Sequence, residues 1–292
     1  MSKYNIIYAF KHCEEITKTN AKNFYFAFKL LPQAKRLAIY ATYAFCRICD
    51  DIVDCSDNNQ SKLYKLQELE SSFHNIETEK LHAPIFTALD DAISKFNIPK
   101  HYYLELISGV KSDITKNRFN NFDELSKYCY QVASVIGLIC IEIFGYKDSI
   151  AKKYAIELGY AMQITNILRD LKEDSKMDRI YIPLDEIKQF NYSEFELKKF
   201  LKNKNFNLLM KFQADRAQKY YTKSKNLFPL INKDSQACTE LMHGTYNRIL
   251  NLITEHNFNV FDQRIKIRKT EKIIIFLKLW TKNIKNKIMI YL

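Results

Sequence analysis

The sequence predicts an all-α protein, and three observations carry that expectation. Only five glycines and five prolines punctuate 292 residues, too few turn-formers for the hairpins of a sheet protein this size. Apolar residues recur at helical rather than alternating spacing along most of the chain. No Pro/Gly/Ser-rich linker and no solenoid repeat divides it, so residues 1–292 read as one domain.

Each element follows from that spacing. Long helices are expected near residues 33–56, 84–95, 100–116, 121–145, 149–173, 207–228 and 234–257, with shorter ones at 4–18, 193–203 and 270–288. Pro32 and Pro99 stand where the first turn of a helix tolerates proline, and Pro183 ends an extended piece. Polar interruptions fall at Asp57 to Ser61, Glu77 to His82 and Ser175 to Arg179. A hydrophobic content of 47% suffices for a core. The longest apolar run, Val132 to Phe144, is short for a bilayer span and contains Glu142.

The net charge of +12 suits an anionic partner: a phosphorylated substrate, an anionic lipid surface or nucleic acid. No nucleic-acid motif or zinc-finger spacing accompanies it, so nucleic acid is not expected. From Arg264 to Leu292 there are nine Lys or Arg and a single acid, Glu271. The basic helix expected in 270–292 carries Ile273, Phe276 and Trp280 among its lysines. It reads either as a terminal core helix with a solvated lysine face or as a peripheral membrane contact. Seven cysteines without framework spacing, and an N-terminus without an apolar signal core, point to a reducing cytoplasm. Cys46 and Cys49 form a C-x-x-C in mid-helix with no second pair, which reads as small buried thiols. Glu79 with His82 and Glu240 with His243 have the spacing of di-iron bundles, but His82 lies in a polar stretch just before Pro84.

Two segments carry the chemistry. In YAFCRICDDIVD, residues 43–54, Asp50 and Asp54 lie one helical turn apart, with Cβ atoms about 5–6 Å from each other. Tyr43 and Arg47 share their stripe. In QITNILRDLKED, residues 163–174, Gln163, Asn166, Asp170 and Asp174 form a similar stripe. Like charges at this spacing repel unless a cation joins them. Two such pairs on separate helices suit a cavity inside a bundle. All-oxygen ligation favours Mg²⁺ or Mn²⁺, and magnesium binds substrate phosphates while keeping waters. A metal-bound diphosphate is a good leaving group, and its departure leaves an allylic cation that an apolar pocket protects. One D-x-x-x-D alone is commonly a solvated helix face; two on polar stripes of apolar helices point to function.

These segments, with AKNFYFAFKLLP at 21–32, YCYQVASVIGLI at 128–139, LGYAMQITNILRDLKED at 158–174, RIYIP at 179–183 and TYNRILNLITEHNFNVFDQRI at 245–265, resemble the squalene and phytoene synthase family of head-to-head prenyl synthases. The resemblance implies a helical bundle of the isoprenoid synthase type with a central cavity. It implies that Asp50, Asp54, Asp170 and Asp174 hold magnesium ions that bridge substrate diphosphates. Arg47, Tyr246 and Arg264 match diphosphate contacts, with Arg169, Arg179 and Tyr181 nearby. Tyr43, Gln163 and Asn166 match polar cavity residues. Phe24, Phe28, Val132, Val135, Gly137, Leu138, Leu158 and Gly159 match the lining of a prenyl-tail channel. Asn23 stands where many members carry serine. The expected activity joins two farnesyl diphosphates to presqualene diphosphate or squalene; the alternative is a phytoene synthase using geranylgeranyl diphosphate. Involvement of NADPH stays open, since no Gly-rich dinucleotide fingerprint is present and this family does not need one. Four retained carboxylates argue against a non-catalytic scaffold of this fold, and the paired motifs against a class I terpene cyclase.

Overall fold

Helix follows helix from Lys3 to Glu255 in the computed structural model, which describes residues 3–21, 24–76, 83–268 and 270–271. The first half comprises α1 (Lys3–Asn20), α2 (Tyr25–Phe28), α3 (Gln33–Asp54), α4 (Asn59–His74), α5 (Ala83–Phe96), α6 (Lys100–Thr115), α7 (Phe122–Cys129) and α8 (Val135–Phe144). The second comprises α9 (Ala151–Arg169), α10 (Leu171–Lys176), α11 (Leu184–Gln189), α12 (Glu194–Lys198), α13 (Lys204–Ser224) and α14 (Lys233–Glu255). Among the described residues only isolated bridges occur outside helices, Arg118 with Ile180 and Tyr146 with Ile231.

A chain with five glycines must stop its helices some other way. Asn97, Asn191, Asn257 and Asp178 take left-handed backbone with φ between 49° and 57°. Asn and Asp tolerate that region better than other side chains, because they hydrogen-bond locally.

Two helices organise the rest. Helix α3 buries Ala38, Ala41, Ala44 and Phe45 and packs on α1, α5, α6 and α8. Its small alanines allow close approach, and Phe45 enters an aromatic cluster with Phe73, Phe86 and Tyr103. Helix α9 buries residues around most of its circumference, from Ala155 and Leu158 to Ile164 and Leu168, because α8, α13 and α14 surround it.

Several expectations need correction. Helix α4 was not expected. Its core stripe is only Leu66, Leu69 and Phe73, and Asn58 caps it by accepting from Ser61 N–H at 2.9 Å. The helix expected over 149–173 divides at Asp170, and the one expected over 193–203 is confined to α12. Helices α7 and α8 run through a π-turn at Tyr130–Ser134, giving one continuous helix of 23 residues, long and apolar enough to cross a membrane. It packs against α6 and α9, which makes it a core helix. The segment from Lys272 onward, where a basic helix was expected, lies outside the described residues, as do Glu79 and His82. His243 is buried and hydrogen-bonds the Tyr221 carbonyl at 2.9 Å, a structural role that leaves the di-iron alternative without support.

The π-turn meets α9 at glycine. A Cβ on Gly159 would fall 2.5 Å from the Ser134 Cα and 2.7 Å from its N, while Ser134 Oγ donates to the Ile156 carbonyl at 2.8 Å. Backbone must move for any larger residue. Gly159→Ala is therefore expected to lower stability by about 1–3 kcal/mol, the cost of overpacking a tight core, read as a fall in melting temperature.

Candidate active site

The carboxylates of α3 face away from its alanine side. Asp50 and Asp54 are solvent-accessible on the last two turns, and Tyr43 and Arg47 precede them on the same stripe. Asp50 is accessible, yet desolvation by the surrounding protein, with the Asp54 charge added, pushes its carboxyl up to about 7. Burial likewise raises the Tyr43 phenol, to about 12. Arg47 pairs with Asp51, one turn on, rather than with either motif carboxylate.

The second pair sits at the joint between α9 and α10. Asp170 leaves helical geometry at φ −101°, ψ 12°, yet its N–H still bonds the Asn166 carbonyl at 2.8 Å, and Asp174 N–H bonds the Asp170 carbonyl at 2.9 Å. The stripe of Gln163, Asn166, Asp170 and Asp174 thus survives the break. Arg169 Nε and Arg264 Nε both donate to Asp170 Oδ1, at 2.9 and 2.8 Å. Burial alone would raise the Asp170 carboxyl, but these two guanidiniums prevail and hold it below the usual range. Asp174 has no such fork. Burial and the Asp170 charge push it up to about 7, opposed in part by Arg179.

Tyr246, on α14, joins the two halves. It is within electrostatic reach of Tyr43 on one side and of Arg169 on the other. Its ring stacks on Phe24 at 5.2 Å, and Phe24 stacks on Phe28 at 6.0 Å. Apolar surface therefore begins directly beside the charged groups. Val132 lies in the π-turn, and a Cβ on Gly137 would come within 2.9 Å of the Ala155 carbonyl oxygen, so this glycine serves the α8–α9 crossing.

Sequence reasoning missed Asp113 on α6 and left Tyr128 unassigned inside a quoted motif. Tyr181 donates to Asp113 Oδ1 at 2.8 Å and Tyr128 to Oδ2 at 3.0 Å. Asp113 lies within electrostatic reach of Asp50, Asp54 and Asp174, and so belongs to the same acidic centre. A signal for it did exist: it extends the buried stripe of Leu106, Gly109 and Val110, where a lone carboxylate is out of place.

The donor set fits a hard divalent cation. Among the described residues no three His, Cys, Asp or Glu side chains meet closely enough to hold a metal by themselves. Carboxylates come instead as two pairs with mutual repulsion, and the Asn166 Oδ1 beside them is buried without a hydrogen-bond partner. Such a set leaves coordination positions for water and substrate oxygens, which is how Mg²⁺ is usually held.

Known proteins resemble this chain over nearly its whole length. A phytoene synthase of Mycobacterium bovis is 37% identical over 267 residues, covering 90% of this chain and 88% of that protein. One of Arthrospira platensis is 34% identical over 281 residues, covering 91% and 90%. The crystal structure of a dehydrosqualene synthase in complex with ligand superposes with a TM-score of 0.87 at 29% identity, covering 95% of this chain and 97% of that one. A squalene synthase from Alicyclobacillus acidocaldarius, at 24% identity and a TM-score of 0.79, shares the fold. The squalene/phytoene synthase profile matches residues 17–271, and the chain belongs to that family of head-to-head prenyltransferases.

Proposed function

We propose that the protein condenses two geranylgeranyl diphosphates head to head into phytoene. What supports this reading is the presence of two carboxylate stripes, one with Arg47 on it and one gripped by Arg169 and Arg264, in a chain whose similar relatives are named phytoene synthases. The sequence alone put farnesyl diphosphate first, and those relatives favour the longer substrate. A C30 product from two farnesyl diphosphates is the second reading, favoured by the superposition on a dehydrosqualene synthase.

Asp50 and Asp54 would hold Mg²⁺ on one side and Asp170 and Asp174 on the other. Bound there, the ion supplies neutralising charge for a departing diphosphate. The forks of Arg47, Arg169, Arg179 and Arg264 bind phosphate oxygens bidentately. Gln163, Asn166, Tyr43 and Tyr246 orient the leaving group by hydrogen bonds. As the C–O bond of the first substrate breaks, its electron pair leaves with diphosphate. The double bond of the second substrate attacks the allylic cation, and loss of a proton closes a cyclopropane. Departure of the second diphosphate, rearrangement and loss of another proton complete the product. No reductant enters this balance, whereas squalene would need a hydride from NADPH. Phe24, Phe28 and Val132 keep water from the cation. We also propose a cytoplasmic enzyme that touches membranes peripherally through residues 270–292, since its product is fully apolar and that end of the chain is basic.

Incubation with each prenyl diphosphate, with and without NADPH, is expected to yield phytoene from the C20 substrate without reductant; exclusive turnover of farnesyl diphosphate would reject the chain-length assignment. Asp50→Asn and Asp170→Asn should each remove at least about 2.7–4 kcal/mol of transition-state stabilisation, the scale of a lost charge-stabilising group. Wild-type turnover in both variants would remove the metal assignment. Arg264→Lys keeps the charge but loses the fork. Charge-assisted hydrogen bonds contribute about 1.5–3 kcal/mol, so kcat/KM should fall at least about tenfold. Deleting residues 270–292 is expected to weaken salt-sensitive co-sedimentation with anionic vesicles; unchanged sedimentation with a large fall in melting temperature would make the segment a core helix instead.

A further inference from the structure

Large apolar side chains stand in solvent where α12 turns into α13. Phe195 is 67% exposed, Leu201 46% and Leu208 45%. Basic residues alternate with them: from Lys198 to Lys211 the chain carries five lysines and no acid. Lys198 pairs with Asp178 at 2.8 Å and Lys211 with Asp215 at 2.6 Å. Lys199, Lys202 and Lys204 are exposed and pair with no acid among the described residues. The acids of α12 are already engaged. Glu194 pairs with Arg118 at 2.6 Å, and Glu196 closes the capping box of its own helix while accepting from Asn203 Nδ2 at 2.8 Å. On α13, Lys204, Leu208 and Lys211 continue the exposed stripe at helical spacing.

The turn that presents these residues is fixed in place. Phe200 takes left-handed backbone at φ 56°, an uncommon conformation for a bulky residue. Its ring packs inward on Phe261 at 5.4 Å, with Lys172 Nζ 5.7 Å from its centre. Leu201, the next residue, is left outside. Its N–H donates to the Glu196 carbonyl at 2.9 Å, and its own carbonyl accepts from the Tyr192 hydroxyl at 2.7 Å. An exposed leucine whose backbone polar groups are both satisfied can enter an apolar boundary without leaving a donor or acceptor unpaired. Single exposed apolar residues need no explanation, but three interleaved with unpaired lysines match the composition of an interfacial anchor.

We propose that the α12–α13 turn is a docking surface for an anionic bilayer: Phe195, Leu201 and Leu208 enter the headgroup boundary while Lys199, Lys202 and Lys204 meet lipid phosphates. This contact is separate from residues 270–292. Charge selects the occupant, because a second copy of the chain seated symmetrically here would set lysines against lysines. The surface also adjoins the second carboxylate pair. Phe261, beneath the turn, stands three residues before Arg264, and its carbonyl accepts from Lys172 Nζ on α10. A bilayer docked at the turn would therefore lie on the α10 side of the candidate site.

Co-sedimentation of the full chain with vesicles of phosphatidylglycerol and phosphatidylcholine, beside vesicles of phosphatidylcholine alone, tests it. Wild type should bind the anionic vesicles, less so at high salt, and bind the neutral ones weakly. Lys199→Gln, Lys202→Gln and Lys204→Gln combined should weaken binding about 100-fold, the scale of three lysines lost from an anionic surface. Phe195→Ser, Leu201→Ser and Leu208→Ser combined should weaken it at least about tenfold, and melting temperatures should hold because all six side chains are exposed. A control with Lys11→Gln, Lys18→Gln and Lys95→Gln, exposed lysines of α1 and α5, removes equal charge elsewhere and should bind almost as wild type does. The proposal fails if wild type does not bind anionic vesicles, or if the control loses as much as the turn's lysine variant. It fails also if both turn variants bind as wild type does, which would leave residues 270–292 as the membrane contact. Sedimentation velocity without lipid supplies the remaining outcome: a wild-type dimer that the three serine changes dissociate would make the turn a self-interface and overturn the proposal.

Discussion

The constraint on which the rest of the structure depends is electrostatic: carboxylates from different helices are brought within electrostatic reach of one another, where they repel. Asp50 and Asp174 are both pushed up to about 7, while Asp170 is held down because two guanidiniums grip it. Repulsion of this kind does not assemble itself. It is imposed by apolar packing elsewhere, above all around α3 and α9, whose buried faces outweigh the local cost. The acidic centre is thus a strained feature held in place by its scaffold, a common property of sites that do chemistry.

The arginines complete the balance. Arg169 and Arg264 converge on Asp170 from adjacent and distant parts of the chain, 1 and 94 residues away. Arg179 serves Asp174 and Asp113. Positive charge therefore gathers around the second carboxylate pair, whereas on α3 Arg47 alone attends the first and is turned to Asp51. A substrate diphosphate lying between the helices would meet a more cationic wall on the α9–α10 side. Aromatic surface starts at Tyr246 and Phe24, so polar and apolar parts of a prenyl diphosphate would find their environments within one ring stack.

Much of this was legible in the sequence because the relevant information is local. The D-x-x-x-D spacing places both members of each pair on one helical stripe, and the stripe persists even where α9 breaks at Asp170. Scarcity of glycine and proline revealed the helical class, although Asn97, Asn191 and Asn257 do the stopping that glycine usually does. What was not legible depends on distance along the chain. Asp113 is marked in the sequence only as a carboxylate on an apolar stripe; with no acidic neighbour at helical spacing, its approach to Asp50 and Asp174 is made by the fold alone. Helix α4 escaped because its three core residues are spread thinly among polar ones. The pairing of Arg47 with Asp51 has an i,i+4 spacing, but Asp50 stands at i,i+3, so sequence alone does not choose between them.

The contact between Gly159 and Ser134 has a consequence for how such a cavity can change over time. Main chain rests on main chain there, with no side chain to act as a spacer. Helix α9 therefore cannot come closer to the π-turn, and any side chain added at Gly159 would push the two apart. If the protein takes a hydrocarbon substrate as proposed, a change in its length would fall to side chains elsewhere along the helices rather than to this crossing. The crossing itself would then stay fixed while other positions vary.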